Sequence, residues 1–192
     1  MNFRKGEYKN VFNKELGTPM ATVIVVAHGN CDYSLKSDIL MKCLSRTLDM
    51  VYLEEVREKE GGTYGVQTVG QLTGYPKDEA LLQVVFNTDP TKREMLMGII
   101  MGELQRVAKE GPKEEHLAKV KEAMVKQYAE SVKENSYWLG VLNNYYWYNE
   151  DMDSKFVELV NSITVKDVQK FAKQLFDQGN LIEVCMTDES AK

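Results

Sequence analysis

Residues 63–87, TYGVQTVGQLTGYPKDEALLQVVFN, decide the fold. Two stretches rich in β-branched and aromatic side chains, Thr63–Leu72 and Ala80–Asn87, flank Gly74-Tyr-Pro-Lys-Asp78. Glycine, proline and aspartate there supply turn chemistry, so the spacing predicts an antiparallel hairpin. A sheet that contains a hairpin is not purely parallel. Upstream, Ala21–His28 (ATVIVVAH) is short, β-branched and bounded by Pro19 and Gly29, which reads as a buried strand. Between them Leu40, Leu44, Leu48, Val51, Tyr52 and Val56 recur at three and four, the period of an amphipathic helix. Ser34 or Ser37 suits its start, and Gly61-Gly62 its stop.

Downstream of the hairpin, Asp89-Pro90-Thr91 opens a second helix, with Thr91-x-x-Glu94 as an alternative capping box. Gly111-Pro112 closes it. Leu117, Val120, Met124 and Tyr128 stripe a third helix, and helical pattern resumes through Trp138, Leu139 and Leu142. Ser154–Ser162 and Val165–Asp177 read as the last helices, the latter entered by Thr164-x-x-Asp167. Leu181–Met186 is a closing strand. The order predicts an α+β fold in one domain spanning residues 1–192. Its sheet is mixed and largely antiparallel, with helices packed mainly on one face.

Composition narrows the class. With 192 residues, 43% hydrophobic and 28% charged, the chain is one globular domain rather than a disordered one. The longest apolar run, Val23–Ala27, falls far short of the roughly 20 residues of a membrane span. A net charge of −5 disfavours nucleic acid as a partner. Cys31, Cys43 and Cys185 cannot all pair and form no C-x-x-C, against both a disulfide framework and a zinc ribbon. Met1–Lys14 is polar and basic and carries no signal peptide. Taken as complete, the chain reads as cytoplasmic; taken as a piece, its targeting segment lies elsewhere.

Independent catalytic chemistry is sparse. The two histidines, His28 and His116, are far apart in sequence, and a catalytic zinc needs about three ligands. Glu114-Glu115-His116 is the single histidine–carboxylate cluster, and it reads as a solvated helix start with acids favoured by the helix dipole. Cys31 near His28 suggests a nucleophile pair less readily than it suggests packing. Gly61-Gly62 is too sparse for a phosphate loop. Tyr145, Tyr146, Trp147 and Tyr148 read as core and interface packing, with a peptide- or domain-docking surface as the alternative.

One segment stands apart, residues 54–66, EEVREKEGGTYGV. A helix end delivers Arg57, a glycine pair breaks the helix, and Tyr64 opens a strand. A phenolic donor and a permanently charged guanidinium suit a carbonyl oxygen gaining negative charge, or a peptide backbone that needs holding. On the residues alone, an ordinary helix-terminal arginine and strand tyrosine explain the pair better than function does.

The spacing Arg57-x6-Tyr64 in VREKEGGTYGV resembles the second-half signature of the pitrilysin/insulinase family of zinc peptidases. TPMATVIVVAHG, ALLQVVFNTDPTKREML, EGPKEEHLAKVKEAMVKQY, ENSYWLGVL and ITVKDVQKFAKQLF follow in the family's order, from about Lys5 to Thr187. The resemblance implies a clamshell of two halves, each of two similar α+β domains. One half carries H-x-x-E-H and zinc, and the other contributes an Arg/Tyr pair across a closed chamber. H-x-x-E-H is absent here. The chain is therefore similar to the zinc-free C-terminal domain of a long bacterial form, a group often periplasmic. By resemblance, Tyr64 stabilises the tetrahedral intermediate, Arg57 binds peptide substrate, and Gly61, Gly62 and Gly65 shape the turn. No metal ligand is implied in this chain; the zinc and a zinc-bearing N-terminal half or partner subunit belong elsewhere. A non-catalytic scaffold or partner subunit of the same family is the rival, and an unrelated α+β binding module a third possibility.

Overall fold

The computed structural model describes residues 4–15, 17–58 and 63–188, without the side chains of Arg57, Glu58, Thr63 and Tyr64. Five strands, β1 (Glu7–Asn13), β2 (Ala21–Asn30), β3 (Thr63–Thr73), β4 (Glu79–Thr88) and β5 (Leu181–Thr187), form one sheet in the order β1-β5-β2-β4-β3. The β1–β5 pair is parallel and the other three pairs are antiparallel. The fold is thus α+β, with the mixed, largely antiparallel sheet that the hairpin requires. The hairpin itself forms as read, β3 pairing β4 around residues 74–78.

Burial alternates strictly along β4, where Ala80, Leu82, Val84, Phe86 and Thr88 are buried and the residues between them are not. That is the signature of a sheet with its helices on one side. Val23, Val25 and Cys185 share the covered face. Against it pack α1 (Leu35–Tyr52) and α6 (Val165–Phe176), with α2 (Arg93–Glu110) packed on α6 and α1, and α3 (Glu114–Ser131) and α5 (Phe156–Ser162) laid over α1. The whole predicted stripe of the first helix is buried, from Leu40 to Val56. Each such aliphatic side chain contributes about 1.5–3 kcal/mol.

Capping follows local chemistry. Ser34 caps α1, its Oγ accepting the Ser37 amide at 3.2 Å. Thr164 and Asp167 form the reciprocal box at the start of α6. Asp89 accepts the Thr91 amide at 2.8 Å and initiates a 3-10 turn, Pro90–Lys92, so α2 begins from that turn and not from a Thr91–Glu94 box. Gly111 ends α2 at φ 83°, and a Cβ there would lie 2.6 Å from Val165 Cγ1, so conformation and space both require glycine.

Three features were unread or differ from the sequence expectation. First, β1 was invisible in the sequence: EYKNVFN is exposed almost throughout and shows no apolar alternation, and it is held by backbone pairing to the far end of the chain. Second, the first helix does not run unchanged toward Gly61-Gly62. It changes at Leu53 into a π-helical turn, Leu53–Glu58, while the glycine pair lies outside the described residues. Third, the aromatic run does not pack in the core. It lies on α4 (Asn135–Tyr148), which has no buried residue; Tyr146 is 80% and Trp147 72% exposed. Tyr33 moors this helix, donating its hydroxyl to Asn144 at 2.8 Å and packing its ring on Tyr148. Among the described residues no helix is long and apolar enough to cross a membrane.

Candidate functional site at the helix–strand junction

The π-helical turn that carries Arg57 packs against β3, whose second residue is Tyr64. The backbone thus brings the two predicted residues to one junction. Their side chains, like Gly61 and Gly62, lie outside the described residues.

Three interactions build the junction. Asp49, near the end of α1, accepts the Thr68 backbone amide of β3 at 2.6 Å. Burial pushes the Asp49 carboxyl above its ordinary range, against the pull of the Thr68 bonds and the Arg46 charge. Next, Val56 anchors the turn from inside, 1% exposed in the core. Glu54 anchors it from outside. Lys113 Nζ donates to its Oε2 at 2.9 Å, and His116 Nε2 meets its Oε1 at 3.0 Å. The Lys113 bond, followed by the proximity of His116, holds the Glu54 carboxyl below the usual range.

The strand side has a special geometry of its own. Thr63 pairs with Thr88 but Val66 with Phe86, so β3 carries one residue more than β4 across Tyr64–Gly65. This β-bulge needs Gly65, whose φ is +144°. Bulges re-aim side chains and recur beside active sites. The sequence reading of Gly65 as a shaping residue rests here on an observed conformation.

The other candidates separate. Glu114 and Glu115 are exposed as a helix start should be, but His116 is wholly buried, a correction to the solvated reading of that cluster. Its acceptor Glu54 lies 62 residues away, a partnership no local pattern announces. His28 Nε2 meets the Arg4 carbonyl at 3.0 Å, and the Cys31 thiol meets the Asp32 carbonyl. Burial raises the Cys31 thiol, away from a nucleophilic thiolate. Cys31, Cys43 and Cys185 are all free. Among the described residues no group of three His, Cys, Asp or Glu could hold a metal ion.

Residues 5–124 match the family described as the peptidase M16 inactive domain. The chain belongs to that family, and this bears out the resemblance to the zinc-free domain of pitrilysin/insulinase-type peptidases. No curated protein sequence matches. Among solved structures, the periplasmic protease PqqL from Escherichia coli superposes with a TM-score of 0.82 at 14% identity, over 97% of this chain and 21% of PqqL. A protease from Helicobacter pylori superposes at 0.78 with 17% identity, over 95% of this chain and 44% of that one. A peptidase M16 inactive domain from Pseudomonas fluorescens superposes at 0.74, also with 17% identity, over 96% and 44%. The chain therefore spans about a fifth to under half of these relatives.

Proposed function

We propose that this chain is the accessory, zinc-free domain of a zinc metalloendopeptidase, a single domain within a longer multidomain assembly. In this reading it closes a chamber over a zinc-bearing half and holds extended peptide. It also presents Arg57 and Tyr64 to the scissile bond. Zinc in the other half supplies the activated water and polarises the carbonyl. Arg57 offers a fixed fork of donors to substrate carbonyls or a carboxylate, and Tyr64 donates its phenolic proton to the oxygen that gains charge. By itself the domain hydrolyses nothing.

The observation that carries this reading is the junction, where a helical turn bearing Arg57 packs on a bulged strand whose second residue is Tyr64. The uncharged, exposed α4 supports a partner surface elsewhere on the domain. The test is steady-state kinetics on a quenched peptide in the assembled peptidase. Tyr64→Phe should lower kcat by about 10²-fold, the lower end for an oxyanion donor, with KM little changed. Arg57→Ala should raise KM as well. A folded, zinc-loaded Tyr64→Phe enzyme within about twofold of wild type would remove Tyr64 from the chemistry.

A further inference from the structure

Directly after α1 the chain makes a π-helical turn, Leu53–Glu58, a form that occurs mostly as isolated turns and often at functional sites. Such a turn depends on outside anchors. Val56 supplies one by burial. The other is Glu54, and its two partners differ in kind. Lys113 is a flexible, half-exposed surface ion pair, a class that contributes little. His116 is 1% exposed at its side chain, locked in the core at the start of α3. With Glu54 as its acceptor, the proton is assigned to Nε2; Nδ1 has no hydrogen-bond partner among the described residues. The Glu115 carboxylate, at 3.8 Å from Nε2, lies beyond hydrogen-bond reach.

We propose that His116 is a positioning residue: from its buried seat it grips Glu54 and so fixes the turn whose backbone carries Arg57. The physical logic is one of mismatch. A buried imidazole N–H without an acceptor is costly, so the ring holds Glu54 in place. Glu54, Val56 and Arg57 share one turn, so a displaced Glu54 carries Arg57 with it. What Arg57 does rests on the proposed function; the grip itself does not.

Hydrogen exchange on this chain tests the grip. Glu54→Ala should speed exchange of the 53–58 amides about tenfold, the loss of one partly buried, charge-assisted hydrogen bond. Exchange in β2 and α6 should stay at wild-type rates. Glu54→Gln retains an acceptor oxygen and should remain within about twofold of wild type. Lys113→Ala should do the same. In the assembled peptidase, Glu54→Ala should raise KM in the direction of Arg57→Ala, with zinc content unchanged, and Glu54→Gln should restore it. Wild-type exchange in Glu54→Ala overturns the proposal. So does faster exchange with an unmoved KM when Arg57→Ala does raise KM. If Arg57→Ala itself changes neither kcat nor KM, the peptidase reading falls, and exchange alone decides the grip. Should Glu54→Ala fail to fold, His116→Gln read by the same exchange replaces it.

Discussion

Asp49 accepts the Thr68 amide at 2.6 Å across the gap between α1 and β3. This bond ties the helix that leads to Arg57 to the strand that begins beside Tyr64. Removing the acceptor leaves an amide of a sheet-edge strand in a partly buried place. Asp49→Ala should cost about 1–3 kcal/mol, whereas Asp49→Asn keeps an acceptor oxygen and should cost far less. Urea unfolding of the three proteins checks the order.

Asp49 also gives a pH dependence of known sign. Its carboxyl is raised in the folded chain above the ordinary 3.8, so the folded state binds its proton more tightly. Its contribution is greatest below 3.8 and is lost as pH rises through the folded value. Asp167 has the opposite sign, because the Thr164 hydrogen bonds lower it. Its contribution is present above the ordinary value and is lost as pH falls through the folded one. Relative to wild type, Asp49→Asn should therefore gain stability with rising pH across this window, and Asp167→Asn should lose it. Parallel unfolding curves for both variants at each pH would contradict the assignment.

Gly65 at φ +144° should not tolerate a Cβ, although the space around it is open. Gly65→Ala should cost about 1–2 kcal/mol through backbone strain alone. Thermal melting measures the loss. On the proposed function, the same variant in the assembled peptidase should also lower turnover, because the bulge that it strains includes Tyr64.

Thr164→Ala removes half of the box that starts α6 and should cost about 1 kcal/mol. For a chain of this size that lowers Tm by about 2–4 °C. Calorimetry at neutral pH decides it, and an unchanged Tm would mean that the cap adds nothing.

The exposed face of α4 carries no stability load of its own. Leu139→Ser and Tyr146→Ser should each shift unfolding by less than about 0.5 kcal/mol. Trp147 fluorescence should be open to quenching by acrylamide in the isolated chain and, on the proposed function, shielded once a partner half is bound.

Sequence alone determined the elements whose stability is local or periodic. The α1 stripe from Leu40 to Val56, the β3–β4 hairpin, the Thr164–Asp167 box and the α+β class all follow from spacing and turn chemistry within short windows. Arg57 and Tyr64, with six residues between them, stood out only through their resemblance to a family signature, and their role is part of the proposed function. Tertiary structure decided what depends on distant partners. Strand β1 exists because the backbone of β5 pairs with it, and no side-chain pattern of its own marks it. The α4 aromatics stay exposed because the sheet face is already covered by other helices, α1 and α6 among them. The burial of His116, its hold on Glu54 and the Asp49–Thr68 bond arise only when folding closes α1, α3 and β3 on one another. Hydrogen bonds and burial act through space, whereas periodicity acts along the chain, and this is why the elements were readable and the contacts that join them were not.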